Sequence, residues 1–170
     1  MVKKEPWDSS TKKAKTLKIE DFGIPEEVKE MAKPIRIAEN RREAASILKE
    51  IAIHGPLTNK AGLTVTLSSD SRGKIVSSKA LNTSYGQKAH FLAVANLDRL
   101  FFNSIEPWEY EMNPNKNNDD LKARRYFYAP LEFDSRIIPV KITVKEYKDI
   151  ALGKRLYSIE AIDAELTAKK

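Results

Sequence analysis

The sequence predicts an α+β fold, with helices packed on one face of an antiparallel sheet of about four to five strands. Three observations carry that prediction. Apolar residues recur at helical spacing around residues 40–55 and again around 85–102. Beyond residue 107 they alternate at strand spacing instead. Turn residues such as Asp134-Ser135 separate the alternating runs. A chain of 170 residues is also long enough to bury a core without staples, and one domain is the natural division.

Residues 1–18 hold six lysines against Glu5 and Asp8, so this stretch carries +4 of the formal +6 charge. Trp7 is its one aromatic side chain, and so few large apolar residues are too little to offset the entropy of ordering. A flexible basic tail over 1–18 and a single α+β domain over 19–170 are therefore expected. Pro25 followed by Glu26 and Glu27 suits a helix start, and Pro34 ends that helix. Residues 35–39 (IRIAE) alternate and read as a short strand. Asn40 with Glu43 has capping-box spacing ahead of the stripe Ala44, Ile47, Leu48 and Ile51, which predicts a helix of about three turns. Gly55 and Pro56 close it, with His54 a capping or surface residue of its last turn.

The run LTVTLS, the turn residues Asp70 to Gly73 and the run KIVSS predict a hairpin, or a strand and a turn. A helix then spans about Tyr85 to Phe102, with His90, Val94, Leu97 and Phe101 along one face. Trp108, Tyr110 and Met112 alternate, and the polar run that follows lacks periodicity and reads as a mobile connection. Period-two alternation assigns the faces of the last strands. Arg125, Phe127, Ala129 and Leu131 share the apolar face with Ile138, Val140, Ile142, Val144, Tyr157, Ile159 and Ala161. Arg124, Tyr126, Tyr128, Lys141, Thr143, Lys145, Ser158 and Glu160 share the other.

Composition narrows the chemistry. With no cysteine there is no disulfide, thiolate metal site or cysteine nucleophile. Two histidines 36 positions apart do not make a zinc site, and neither a metal nor a cofactor is expected. No signal-peptide core and no run of about 20 apolar residues is present, so a soluble, cytoplasmic protein without membrane contact is expected. The pI near 9.4 is compatible with an RNA or DNA partner, although the lysine-rich start accounts for most of the excess charge.

Three clusters are candidates for function, each with a plainer alternative. On the polar sheet face, Arg124, Lys141 and Lys145 could hold phosphates, Tyr126 and Tyr128 could stack bases, and Glu160 could serve as a general base. The alternative is an ordinary solvated sheet face. His90 heads the main helix, where the dipole favours a neutral imidazole able to move a proton; otherwise it is a hydrogen-bonded core residue. Its stripe points to the face of Arg125 and away from Arg124, so it joins the polar face only at a sheet edge. Ser77, Ser78 and Lys79 could bind phosphate ahead of a helix, or simply cap it, and no Walker-type glycine loop accompanies them.

Taken together, Lys74, Ser78, His90–Phe101, Arg124–Asp134, Pro139–Glu146 and Leu156–Glu165 give residues 62–165 a recognisable order. In that order the sequence resembles the large polyvalent protein-associated domains of phages and conjugative elements, in particular those grouped with nucleases of the barnase, EndoU, colicin and RelE type. The resemblance implies an α+β fold and a metal-independent, toxin-type ribonuclease activity, with His90 carried over first. The candidate catalytic set is then His90 with Arg124, Arg125, Tyr126 and Ser158, and the candidate substrate contacts are Lys79, Tyr128, Lys141, Lys145 and Glu160. RNA or DNA and a protein partner, such as an immunity protein, are the partners such a role would bring. A non-catalytic binding or structural module of a phage or mobile-element protein is the alternative.

Overall fold

The computed structural model describes residues 13–77, 80, 84–108, 111–112, 121–149 and 153–168. The fold is α+β. Helices among the described residues include α1 (Pro25–Ala32), α2 (Arg41–Ile53), α3 (Ser69–Ile75), α4 (Gly86–Ala95) and α5 (Leu97–Phe102), with a short 3-10 turn at Ile19–Asp21. A two-stranded hairpin pairs β1 (Leu57–Thr58) with β2 (Thr64–Val65). The main antiparallel sheet is built from β4 (Leu121–Phe133), β5 (Arg136–Tyr147) and β6 (Lys154–Ala161), and the two-residue β3 (Glu111–Met112) extends it beside β4.

β4 and β5 turn on two residues, Asp134 and Ser135, both left-handed at φ 52° and 64°. That geometry follows the right-handed twist of paired strands, and it pins the register at Phe133 opposite Arg136. The register then places Phe127 opposite Ile142 and Ala129 opposite Val140 on one face, with Arg124 opposite Lys145 and Tyr128 opposite Lys141 on the other. The alternation read from the sequence is therefore present. The inner face joins α2, α4 and α5 in one core, including Leu48, Val94, Leu97, Phe101, Ile142 and Val144.

Local capping explains α2. Asn40 Oδ1 accepts the Glu43 N–H at 2.9 Å, while Glu43 reaches back to the N–H of Glu39 rather than of Asn40. Ala44, Leu48 and Ile51 are buried as the stripe requires, and Gly55 follows at φ 98°.

Four expectations are corrected. Residues 35–39 form no strand. The backbone N–H groups of Ile35 and Arg36 donate instead to Asn96 Oδ1, at 2.8 and 3.0 Å. Asn96 Nδ2 returns bonds to the carbonyls of Arg36 and Leu92, so one buried amide replaces a neighbouring strand. That same Asn96 interrupts the helix expected over Tyr85 to Phe102 and divides it into α4 and α5, although His90, Val94, Leu97 and Phe101 all remain fully buried. The stretch from Asp70 to Gly73 is helix, not turn, and the helix runs on through Lys74 and Ile75, so the run from Lys74 is not the second strand of a hairpin. Ser68 caps α3 by accepting the Ser71 N–H at 3.2 Å, and Ile75 anchors it in the core.

The fourth correction concerns the outer sheet face, which is not simply solvated. Ala14, Leu17, Ile19, Phe22 and Val28 pack with Tyr128, Ile162 and Leu166 in a second core over it. The Ile19 N–H donates to the Thr167 carbonyl at 3.0 Å, which ties the two covering segments together. Residues 13–18 thus belong to this packing rather than to a loose tail, because Ala14 and Leu17 supply apolar surface that the lysines around them disguise. Residues 1–12 and the polar run 113–120 lie outside the described residues. No described helix is long and apolar enough to cross a membrane.

Candidate functional site

The site is assembled at the β6 edge. After β2, Thr66 docks alongside β6: its N–H donates to the Lys154 carbonyl at 2.9 Å, and its carbonyl accepts the Leu156 N–H at 3.0 Å. Two residues later Ser68 starts α3, so this helix is delivered beside the strand with Lys74 facing it. In β6 the register slips between Thr143, opposite Ser158, and Val144, opposite Leu156. Tyr157 is the extra residue of the bulge. Leu156 takes the core position, fully buried, and Tyr157 is released from the apolar set to which strict alternation assigned it.

Three cations gather on the released ring. Lys145 Nζ lies 3.7 Å from its centroid, Lys74 Nζ 4.3 Å, and the Arg124 guanidinium carbon 5.7 Å. Among the described residues, neither Lys74 nor Lys145 forms an ion pair with a carboxylate. Burial, followed by repulsion from Arg124 and Lys74, holds the Lys145 ammonium below its ordinary pKa against the attraction of Tyr157. Burial pushes the Tyr157 phenol up, but Lys145, Lys74 and Arg124 outweigh it and leave the phenol below its usual range. Beside this cluster opens a cleft of about 530 Å³, also lined by Ser68, Ser71, Asp70, Tyr147 and Arg155. An anion entering it would meet concentrated positive charge with hydroxyl donors nearby.

His90 does not share this site. Its ring is fully buried, and Nε2 lies 2.6 Å from the Ile75 carbonyl, which can only accept. Nε2 therefore carries the proton, and Nδ1 accepts the Ser84 hydroxyl at 2.5 Å. Ser84 Oγ accepts in turn the Ala161 N–H at 3.1 Å. The histidine thus ties the end of α3, the turn before α4 and the end of β6. Both ring nitrogens are committed, and burial holds its pKa below the ordinary value.

The other sequence candidates separate. Arg124 and Lys145 come together in the cation cluster. Arg125 lies on the inner-face register and forms a two-pronged ion pair with Glu106, at 2.7 and 2.8 Å. Tyr128 is buried edge-on against Trp108, at 5.4 Å between centroids, and is closed to a stacking base. Lys141 pairs with Glu160 at 3.2 Å, their side chains only 12% and 15% exposed, and its ammonium stands 5.6 Å over Tyr126. Ser158 pairs with Thr143 across the strands. Lys79 lies outside the described residues. Sequence reasoning missed Tyr157 as a site residue and singled out Lys74 only as a landmark of the resemblance. The adjacent apolar pair Leu156-Tyr157 breaks the alternation of β6 and was the available sign of a bulge.

Residues 35–157, well over half of the chain, match the model of a family described as large polyvalent protein-associated domain 3. Neither the comparison with curated proteins nor that with solved structures finds a match.

Proposed function

Because the chain belongs to the large polyvalent protein-associated domain 3 family, we propose that it is a nucleic-acid-contacting domain of a phage or mobile-element polyvalent protein. The observation that carries this reading is the convergence of Lys74, Arg124 and Lys145 on Tyr157 at a cleft. A phosphate placed there relieves the mutual repulsion of the cations gathered over the tyrosine ring. The test is fluorescence anisotropy with a labelled RNA 12-mer across a salt series. The wild type is expected to bind with a falling log–log salt dependence, and Lys145→Gln to weaken binding roughly tenfold and flatten that slope by about one charge. Unchanged affinity in a folded Lys145→Gln variant sinks this reading.

A second reading, metal-independent ribonuclease activity of the nuclease group, is favoured by one observation, the Tyr157 phenol set among Lys145, Lys74 and Arg124. In that chemistry the RNA 2′-oxygen attacks the adjacent phosphorus while the Tyr157 oxygen, which must first be deprotonated, takes its proton. The P–O5′ bond breaks as the 5′-oxygen gains a proton from Lys145, leaving a 2′,3′-cyclic phosphate. Arg124 and Lys74 would hold the developing charge. Incubated with RNA in EDTA, the wild type should then cleave, and Tyr157→Phe should lose at least about 100-fold in rate. RNA left intact by the wild type removes this reading without touching the binding one.

A further inference from the structure

The basic surface around Tyr157 stops short. Along the outer face toward the hairpin end, the next cation is Lys141, which is paired with Glu160 and nearly covered. Directly opposite it on β4, Tyr128 lies under the second core. A strand tracked through its interior needs a continuous basic groove, and the outer face does not extend one toward the hairpin end. What it has instead is a compact cleft of about 530 Å³, walled by α3 on one side and by the ends of β5 and β6 on the other. That volume suits one or two nucleotides, within the usual range of roughly 300–1,000 Å³ for ligand sites.

Charge points the same way. Lys74, Arg124 and Lys145 crowd one ring, and Arg155 lines the same cleft with Asp70 as the carboxylate among its lining residues. An internal phosphodiester brings one negative charge to such a cluster. A phosphomonoester brings about 1.5 to 2 at neutral pH, along with three acceptor oxygens. The ligand that uses the site most fully is the one with the greater charge on a single phosphorus.

We propose that the cleft is built for a nucleotide phosphomonoester, the terminal phosphate of a nucleic-acid strand, rather than for an internal phosphodiester. This rests on the nucleic-acid reading above and names its substrate class. Lys74 and Lys145 hold the phosphate oxygens from opposite walls. The Tyr157 ring forms the floor between them.

The experiment compares one RNA 12-mer in three forms, with a 5′-phosphate, with a 3′-phosphate and with hydroxyls at both ends, under identical salt. One phosphorylated form is expected to bind at least about tenfold tighter than the hydroxyl-ended strand, the gain of one added charge-assisted contact. Lys74→Gln, an exposed helix substitution that leaves the core alone, should bring that ratio close to one. A mononucleotide that competes as well as the strand identifies free nucleotide as the source of the phosphomonoester, and failure to compete identifies the strand end. Equal affinity for all three strands, still salt-dependent and still weakened by Lys145→Gln, overturns the phosphomonoester proposal and leaves the nucleic-acid reading standing. No binding by any strand overturns both.

Discussion

Replacing His90 with alanine should lower the free energy of unfolding by about 3–4 kcal/mol, read as a shift of the urea midpoint. The substitution strips the Ile75 carbonyl and the Ser84 hydroxyl of a buried partner and leaves a void where the ring stood. It also loosens three elements at once, because Ser84 in turn receives the Ala161 N–H. The sign of the accompanying pH effect follows from the lowered pKa. Burial disfavours the imidazolium in the folded state, against the weaker opposing pull of the Ile75 bond and the Glu160 charge. Below its ordinary value of 6.5 the unfolded chain therefore binds the proton more readily. His90's contribution is complete above pH 6.5 and is lost as the pH falls from there toward the lower folded value. Unfolding curves at pH 7.5 and pH 5.5 should show that loss in the wild type and a smaller one in His90→Ala. Stability unchanged by the substitution would contradict the core role.

Tyr128→Ala should cost about 3–5 kcal/mol, as for other large aromatic truncations in a packed core. The sequence alone allowed Tyr128 to lie on an open sheet face, where the same change would matter by less than about 0.5 kcal/mol. The difference separates the two descriptions in one measurement. Tyr128 is fully buried, stands edge-on to Trp108 and exchanges backbone hydrogen bonds with Ile105 at 2.8 and 2.9 Å. Its loss should also red-shift tryptophan emission as Trp108 meets water. A variant as stable as the wild type would mean that the N-terminal segment does not cover this face.

What was legible in the sequence follows physical range. Strand faces are local, a matter of alternation, and Phe127, Ile142 and Ile159 lie in the inner core as read. Capping is local too, and Asn40 marks the start of α2. The misses depend on partners far along the chain. Ile35 and Arg36 are kept from pairing as a strand by Asn96, about sixty residues away. The Asp70–Gly73 stretch carries both turn and helix signals, and burial of Ile75 together with the Ser68 cap decides for helix. Of the candidate site, Arg124 and Lys145 were legible as neighbours on one face. Tyr157 was not, because a single bulge residue reverses which way a side chain points.

The docking of Thr66 on β6 bears on the order in which the molecule comes into being. Lys74 and Tyr157 are more than eighty positions apart, and α3 is seated chiefly against β6, with a smaller contact to α2. Closing so long a loop is slow and is rewarded only when both ends are present. During synthesis the cation cluster has no floor until β6 has left the ribosome. The proposed anion site therefore depends on β6, and a fragment ending before Tyr157 would lack its floor.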